Sequence, residues 1–575
     1  MAENNDSRRL RFAVMCNSTG MHQWQKQTLD ALLSSGCSEP VLLIMPSGKN
    51  IKAGKTFRKK ITAYPWKKII FRKYYQYLFH PQAFRKTIAD FGIAEIPVIR
   101  CTTSLRKKHS EYFSPEDIEA IRSYKPDFIL KFAFGIIRGE ILNCAPYGVW
   151  SFHHGDEQKY RGVPPAFHEM LNNDAVTASI LQRLTETLDG GVILRKGFFP
   201  TIYHSWRANL DQAIALSVNW PADVCREIIA QHTFPASGES TSTTAPVYKE
   251  PENTTMLQFL AKQLFNKVKF HFSELFQAEK WSTGIIRART AEVAGNIDYS
   301  PDPEMVSWLH SGSNDRYFAD GFALRVRHRI LLLFEDYSYR HRKGRISAAW
   351  YNERDHDFSD IACALEEPWH LSYPFIFKER DDYYCIPESK DHGSVELYRL
   401  DCDTMKLAFV RTLLPGVAAA DPTLVFHQNR WFLFFTPAHA TNVELHIWHS
   451  PGLDQPFEPH ELNPVKADIR NARPAGSLFR LDDKLYRPAQ DCSRTYGGRV
   501  VINEIKILSE EAFLEMPVST LNPPPGYKGI HNLSFAGDYM YFDCKKFVFS
   551  PASFLYQAGR RFRSKKHTLP GIKQL

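Results

Sequence analysis

Residues 148–194 read GVWSFHHGDEQKYRGVPPAFHEMLNNDAVTASILQRLTETLDGGVIL. The stretch sets an imidazole pair, His153 and His154, beside a basic glycine turn, Arg161-Gly162. It then returns a carboxylate, Asp189, in a Leu-Asp-Gly-Gly turn after an apolar strand. A His and an Asp on neighbouring loops suit an acyl-transfer site, where a proton must be moved and negative charge builds on an oxygen. A donor near that oxygen lowers the barrier by about 3–4 kcal/mol. Asp189 would keep His153 protonated by pairing with it, or take the proton that an attacking amine releases. In an extended segment Ser151 points to the same side as His153. An isolated His-His most often only caps a strand end, but here Arg161-Gly162 and Leu188-Asp189 follow in register.

The flanks extend the pattern. Arg11 to Met15 is a short apolar run, followed by a polar turn at Asn17 to Gly20 and an amphipathic stretch from Trp24 to Leu33, which reads as strand, turn and helix. Val41 to Met45 is a second strand, and Lys125 to Leu130 leads into Phe132-Ala133-Phe134-Gly135-Ile136-Ile137. Alternating strands and helices predict an α/β doubly wound sheet with ligands at the carboxyl ends of its strands. Neither GxGxxG nor GxxxxGK[ST] occurs, so no phosphate cradle of those kinds is expected.

The block resembles the catalytic core of the 10-formyltetrahydrofolate-dependent formyltransferases, over roughly residues 8–230. The family pattern is Asn-x-His, a short loop, Arg-Gly, and a strand ending in Leu-Asp-x-Gly. It lays the family histidine on His153, the aspartate on Asp189 and the Asn on Ser151, which offers one shorter hydroxyl donor. The apolar loop after the family histidine is replaced by Gly155-Asp156-Glu157-Gln158. The resemblance implies 10-formyltetrahydrofolate as co-substrate, held by Phe134, Gly135, Ile136 and Leu188. It assigns catalysis to His153, Asp189 and Ser151, and acceptor contacts to Arg161, Gly162 and His154. His168 reads as a polar position on the helix after Pro164-Pro165.

With 575 residues, 43% of them hydrophobic, the chain is expected to form two or three domains. Its ten cysteines lack paired short spacings, which gives no disulfide framework and no metal site. No apolar run approaches a membrane span, and Met1 to Arg11 does not read as a secretory signal. The expected setting is cytoplasmic, with peripheral contact at a membrane. Residues 49–86 interleave Lys52, Lys55, Arg58, Lys59, Lys60, Lys67, Lys68, Arg72, Lys73 and Arg85 with aromatics and contain no acid. A second basic cluster, Arg560, Arg561, Arg563, Lys565 and Lys566, lies in a tail over 551–575. Both suit an anionic partner, such as lipid headgroups, a polyisoprenyl phosphate or a nucleotide-sugar diphosphate, more than nucleic acid, because no nucleic-acid module accompanies them. A solvated face is the plain alternative.

The formyltransferase-like domain is expected over 8–232, followed over 233–294 by a Ser/Thr/Pro-rich linker and an amphipathic helix at Met256 to Phe276. From about residue 295 to 550 the chain alternates short aromatic-rich strands with turns in five units about 50 residues apart, the texture of an all-β, five-bladed propeller. The first segments of these units are Tyr317–Phe322, Leu371–Ile376, Ala420–Val425, Ala472–Ser477 and His531–Phe535. The pattern resembles the propellers of arabinanase- and xylosidase-type glycosidases and the N-terminal domain of plant glucosamine inositolphosphorylceramide transferases. That resemblance implies inward carboxylates at Asp320, Glu388 and Asp421, with Arg473, Arg487, Asp491 and His531 as further axial candidates. An inverting pair of carboxyls would stand about 6.5–9.5 Å apart.

The expected function is N-formyl transfer from 10-formyltetrahydrofolate to the amine of a nucleotide-, lipid- or glycan-linked sugar, with a glycan-recognising propeller. Alternatives are a glycan-binding or glycosidase-like protein with an inactive first domain, a hydrolase releasing formate, and a methionyl-tRNA formyltransferase-like enzyme. The last fits less well, because the formyltransferase it resembles carries a small barrel after its catalytic domain.

Overall fold

The first apolar run forms strand β1 (Leu10–Met15), in which Phe12, Ala13 and Met15 are fully buried. It opens a computed structural model that describes residues 9–18, 20–48, 66–88, 96–106, 110–187, 190–232, 234, 243–313 and 315–550. Leu188, Asp189, the basic residues 49–65 and the tail 551–575 lie outside the described residues. The chain divides into two units, Met1–Asn266 and Lys267–Leu575.

In the first unit β2 (Ser38–Pro46), β3 (Val98–Cys101), β4 (Phe128–Lys131) and β5 (Val149–His153) join β1 in parallel. After β6 (Arg161–Gly162), β7 (Val176–Arg183) and β8 (Val192–Pro200) complete the sheet antiparallel, in the order β8-β7-β5-β4-β1-β2-β3. Alternation sends Ala13, Met15, Ile129 and Val149 to one face, where Ile118 and Ile121 of helix α2 (Pro115–Ser123) cover them. On the other face Phe128 stacks on Phe12 and Trp150, with ring centroids 5.5 and 3.9 Å away. α1 (Gln23–Ser34) follows the first strand as expected. The start of α2 is written in Ser114-Pro115-Glu116-Asp117: the Ser114 hydroxyl accepts from Asp117 N at 3.1 Å, proline takes the first turn, and two acids face the helix's positive end. The strand order reverses at β1, so a crevice opens at its carboxyl end.

β9 (Val247–Tyr248) pairs with β6. Helices α3 (Trp206–Ala215) and α4 (Trp220–Gln231) precede the linker, and α5 (Asn253–Phe276) follows it. Met256 and Phe259 of α5 bury against Phe167 and Trp206. Among the described residues no helix is long and apolar enough to cross a membrane. All ten cysteines are free thiols.

The second unit has five main sheets, antiparallel except where Asp298–Tyr299 pairs parallel at the edge of one of them, in a propeller-like arrangement. One sheet joins β10 (Gln277–Arg287) and β11 (Ser307–Leu309) to the chain's last strands, β25 (Leu533–Ala536) and β26 (Tyr539–Phe549). The second contains β12 (Arg316–Val326), β13 (Arg329–Ser338) and β14 (Lys343–Asn352). The third runs β15 (Ser372–Glu379), β16 (Asp382–Glu388), β17 (Val395–Asp401) and β18 (Lys406–Leu414). The fourth contains β19 (Ala419–His427), β20 (Arg430–Pro437) and β21 (Glu444–Ser450). The fifth contains β22 (Lys484–Asp491), β23 (Arg499–Leu508) and β24 (Phe513–Leu521).

Two expectations change. Residues 277–287, placed in the linker, form β10 and pair along their whole length with β26, some 260 residues away. Apolar Trp281, Ile285 and Ile286 are buried there. The segment Ala472–Ser477 is not a continuous strand. It makes only isolated bridges, Pro474 to Ala489 and Gly476 to Leu533, because Pro474 lacks an amide donor and Gly476 takes φ +119° where a Cβ would meet the Leu533 carbonyl.

Candidate functional site

In the first unit, register brings the site residues together. Lys131 ends β4 beside Ser151 of β5, with Met15 of β1 on its other side. In parallel strands these partners share a face, and His153 follows two residues on. The row is therefore Lys131, Ser151 and His153, at the carboxyl ends of two central strands. The His153 Nε2 lies 3.3 Å from the Tyr160 carbonyl, which makes that nitrogen the donor and leaves Nδ1 to accept. Gly155 keeps this space open, since a Cβ there would stand 2.8 Å from the Tyr160 oxygen and 3.1 Å from His153 Nε2.

Lys131 is the residue that sequence reading passed over. It is a lone cation ending an apolar strand, and among the described residues it makes no hydrogen bond or ion pair. Burial lowers its ammonium pKa below the ordinary lysine range, and only the more distant Glu111 carboxylate works the other way. Glu111 is itself held by Gly135 N at 2.7 Å and the Thr103 hydroxyl at 2.9 Å.

A cleft of about 450 Å³ lies at the switch point, lined by Asn17, Ser47, Thr102, Phe132, Phe134 and Gly135 among others. Phe134 adopts φ +65°, which turns the chain beneath the cleft, and its ring meets Phe113 at 5.0 Å. Ile136 lies beyond it in a short strand. Ser151 and His153 do not line this cleft. Asp189 and Leu188 lie outside the described residues; on the flanks Gly139 N donates to Glu186 at 2.8 Å, and the Thr185 hydroxyl donates to the Gly190 carbonyl at 3.0 Å.

The three residues expected to contact the acceptor have partners within the fold. His154 is enclosed, with Trp24 edge-on at 5.9 Å and Phe152 stacked at 6.0 Å. Burial, with His153 adding to it, drops its imidazole to about 3, so it is neutral. It points away from His153 by strand alternation. Arg161 and Gly162 pair with Val247 and Tyr248 of β9, and Gly162, at φ +92°, leaves no room for a Cβ, which would fall 2.1 Å from the Tyr248 carbonyl oxygen. His168, expected as a polar helix position, is buried and stacks on Tyr248 at 4.0 Å. The unusual Asp156 and Glu157 are buried partners of Lys196 at 2.8 and 2.9 Å.

In the second unit a buried charge cluster gathers where the sheets' first strands meet. The strands β12, β15 and β19 each carry a bulge, after Ala319, Ser372 and Ala420. At these bulges Asp320 (φ +51°), Tyr373 (φ +45°) and Asp421 (φ +51°) occupy the left-handed region. Three such L-residues at equivalent places cost of order 1–3 kcal/mol each and aim their side chains inward. Gly321 is required beside Asp320, because a Cβ would fall 2.1 Å from the Tyr541 ring.

One half of the cluster is built around His531. Its Nδ1 donates to Asp543 at 2.6 Å and its Nε2 to Asp320 at 3.0 Å. Burial alone would lower the imidazole, but the Asp543 and Asp320 carboxylates outweigh it and raise it to about 10. Trp281 stacks on the ring at 4.0 Å. Among the described residues, Asp320, His531 and Asp543 are the group whose atoms lie close enough to hold a metal ion. Both imidazole nitrogens are, however, already donating to the two carboxylates.

The other half is built around Arg473, whose Nε and Nη2 reach both oxygens of Asp421 at 2.5 and 3.0 Å. Glu388 accepts from Asp421 N at 3.0 Å and pairs with Lys390 at 2.7 Å. Burial opposes ionisation of Glu388, but Lys390 and Arg473 prevail and hold it well below the usual carboxylate range. Glu388 ends the second strand of its sheet rather than beginning the first, and reaches this level by pairing with Ser372.

Glu335 was not legible in the sequence. It sits in β13 opposite Ala319, next to Asp320, and its carboxyl is pushed well above the usual range by burial and then by the Asp320 charge. His370 Nδ1 accepts from Gly344 N at 2.8 Å, so its Nε2 carries the proton and faces Glu335 at 3.6 Å. Of the other axial candidates, Arg487 is bound by Glu515 at 2.6 Å and Asp491 by Arg499 at 2.8 Å, and neither joins the cluster. A cleft of about 260 Å³ lined by Trp281, His310, Arg316 and Tyr317 lies beside the His531 half.

Comparison with known proteins places these features. A family model described as Glucosamine inositolphosphorylceramide transferase 1, N-terminal, matches residues 304–533. Glucosamine inositolphosphorylceramide transferase 1 of Oryza sativa subsp. japonica is 33% identical over 215 residues, 36% of this chain and 29% of that protein. Methionyl-tRNA formyltransferase of Nitratidesulfovibrio vulgaris (strain DP4) is 32% identical over 79 residues, 14% of this chain and 24% of that one. Among solved structures, Zg3597, a family 117 glycoside hydrolase from Zobellia galactanivorans, aligns with a TM-score of 0.31 at 13% identity, covering 47% of this chain and 91% of that one. The chain spans less than a third of the length of the curated relatives it matches.

Proposed function

We propose that the first unit transfers a formyl group from 10-formyltetrahydrofolate to the amine of a sugar, and that the second unit binds a glycan through its axial cluster. The observation that carries the first reading is the row of Lys131, Ser151 and His153 on one face at the carboxyl ends of β4 and β5. The cleft at the switch point suits the folate in size and in its aromatic lining of Phe132 and Phe134, with Gly135 at its edge. The folate, when bound, supplies the formyl carbon. In this reading His153 Nδ1, left free by the Nε2 contact to Tyr160, accepts the amine proton. Lys131 and the Ser151 hydroxyl then offer donors to the oxygen on which negative charge develops, so that a lysine does what a longer amide would do from the Ser151 position. Asp189 holds the imidazolium. The partial likeness to a formyltransferase supports this assignment.

The test is release of tetrahydrofolate from 10-formyltetrahydrofolate by the full chain, with and without nucleotide-linked amino sugars. Amine-dependent release that vanishes in His153→Ala is the expected result. Release without any amine would make the unit a hydrolase, and no release would remove the assignment.

A second reading is favoured by Glu335, whose carboxyl is pushed well above the usual range by burial and by neighbouring Asp320. Such a pair can deliver a proton to a glycosidic oxygen, so the axial cluster would take part in glycosyl chemistry, a reading supported by the likeness to the N-terminal part of glucosamine inositolphosphorylceramide transferase 1. Sugar release or transfer that is lost in Glu335→Gln while formyl transfer persists would establish it.

A further inference from the structure

Helix α5 carries an apolar stripe that the fold does not use. Met256 and Phe259 are buried, yet Leu257, Leu264, Phe265, Val268 and Phe272 are 55, 64, 67, 62 and 50% exposed. At 3.6 residues per turn these five fall on one side of the helix. Lys267 and Lys269 lie on opposite edges of that stripe. Both are exposed, and neither has a carboxylate partner among the described residues. The helix's single acid, Glu274, lies near Lys267 in azimuth, outside the stripe, and meets His271 at 3.5 Å. Next to the helix's end, Phe276 stacks with Phe549 at 6.0 Å, and Phe547, Val548 and Phe549 are themselves 41, 38 and 68% exposed. The 25 residues after Ser550 contain Arg560, Arg561, Arg563, Lys565 and Lys566.

We infer that α5 lies flat on an anionic lipid bilayer, its apolar stripe among the acyl chains and Lys267 and Lys269 reaching up to the phosphates. An exposed apolar stripe bordered by lysines and free of acids is the pattern of an interfacial helix. The charge decides between a bilayer and a second copy of the chain. A second copy would offer these lysines no acid but Glu274, which His271 already engages, whereas anionic headgroups neutralise both edges. The inference is independent of the chemistry proposed for either unit.

The experiment is flotation of the full chain with vesicles of phosphatidylcholine alone or with about 30% phosphatidylglycerol, at low and high salt. Wild type floats with the anionic vesicles and much less with neutral ones, and salt weakens it. Leu264→Gln/Phe265→Gln/Val268→Gln lowers the partition coefficient by about tenfold or more, and Lys267→Gln/Lys269→Gln by about tenfold on anionic vesicles only. These side chains are exposed, so the thermal unfolding midpoint should not move, and this checks that the variants fold. Failure of wild type to float overturns the inference, and so does equal flotation of the triple variant, which would leave the basic tail as the anchor. Light scattering that shows a dimer dissolved by the triple variant would assign the stripe to a second copy.

Discussion

The row on β4 and β5 and the axial cluster of the second unit solve the same problem, holding reactive polar groups in place, by opposite means. In the first unit the backbone holds them: Lys131, Ser151 and His153 are set by strand register, and their side chains engage one another little. In the second unit side chains hold side chains, with Asp543 and Asp320 gripping His531 and Asp421 gripping Arg473. A site set by register can keep groups unpaired and reactive, because nothing needs to neutralise them for the strands to form. A site set by ion pairs is rigid, but each member is needed by the others, and its free chemistry is confined to what the pairing leaves over, here Glu335, whose carboxyl is pushed up by burial.

The contrast can be broken by substitution. The largest effect is expected from His153→Ala, which should lower formyl transfer about 10²- to 10⁴-fold while leaving the unfolding midpoint nearly unchanged, as checked by steady-state rates and calorimetry on the same sample. Arg473→Met should do the reverse. It strands Asp421 without its cation and leaves Glu388 only Lys390, and is expected to cost the second unit about 3–5 kcal/mol in denaturant unfolding with formyl transfer retained. A transferase that lost activity in step with that unfolding would erase the distinction between the units.

The two imidazoles sharpen it through pH. His531, raised from the ordinary histidine range to about 10 when folded, contributes stability that is complete below about 6.5 and is lost as pH rises through about 10. Glu335, also raised, acts in the same direction. His154, dropped to about 3, has the opposite sign: its contribution is present above about 6.5 and is lost as pH falls toward 3. The second unit's thermal midpoint should therefore fall on the alkaline side, and His531→Gln should flatten that slope. His154→Gln should flatten an acid-side slope in the first unit.

Much of the first unit could be read from local pattern. Alternating strands and helices, the polar turn at β1 and the 148–194 block are short-range signals, and their strands form where the apolar runs lie. The spacing of strand pairs likewise marked four of the five propeller-like sheets. What could not be read depends on pairing across the chain. β10 finds its partner about 260 residues later, and Glu335 and Asp543 sit in runs that look like core strands until the sheets converge. His154 follows His153 directly, yet alternation turns it against Trp24 and Ser179 instead, a distinction visible only once those residues are in place. Arg161-Gly162 looked like an acceptor contact because its backbone partner, Tyr248, is supplied by a segment that reads as linker.

The smallest expected effect is the most discriminating, because it compares one residue type in both settings. Lys390 is pinned to Glu388 at 2.7 Å, and that carboxylate raises its pKa. Lys131 has no such partner, and burial lowers its pKa. Lys390→Met should therefore act on stability, as Arg473→Met does. Lys131→Met keeps the apolar stem and removes only a donor, so formyl transfer should fall about 10- to 100-fold with the folate KM little changed. A lysine that merely packs would show the same rate loss only through unfolding, but one that serves the developing charge also leaves a mark in the pH profile. The wild-type rate should fall on an alkaline limb below the ordinary lysine range, and that limb should be absent in Lys131→Met. Ser151→Asn in the Lys131→Met background extends a longer donor from the neighbouring strand position and should restore part of the rate. An unchanged alkaline limb in Lys131→Met, or no recovery in the double variant, would make Lys131 a buried cation with no part in the transfer and leave His153 and Ser151 to carry the row.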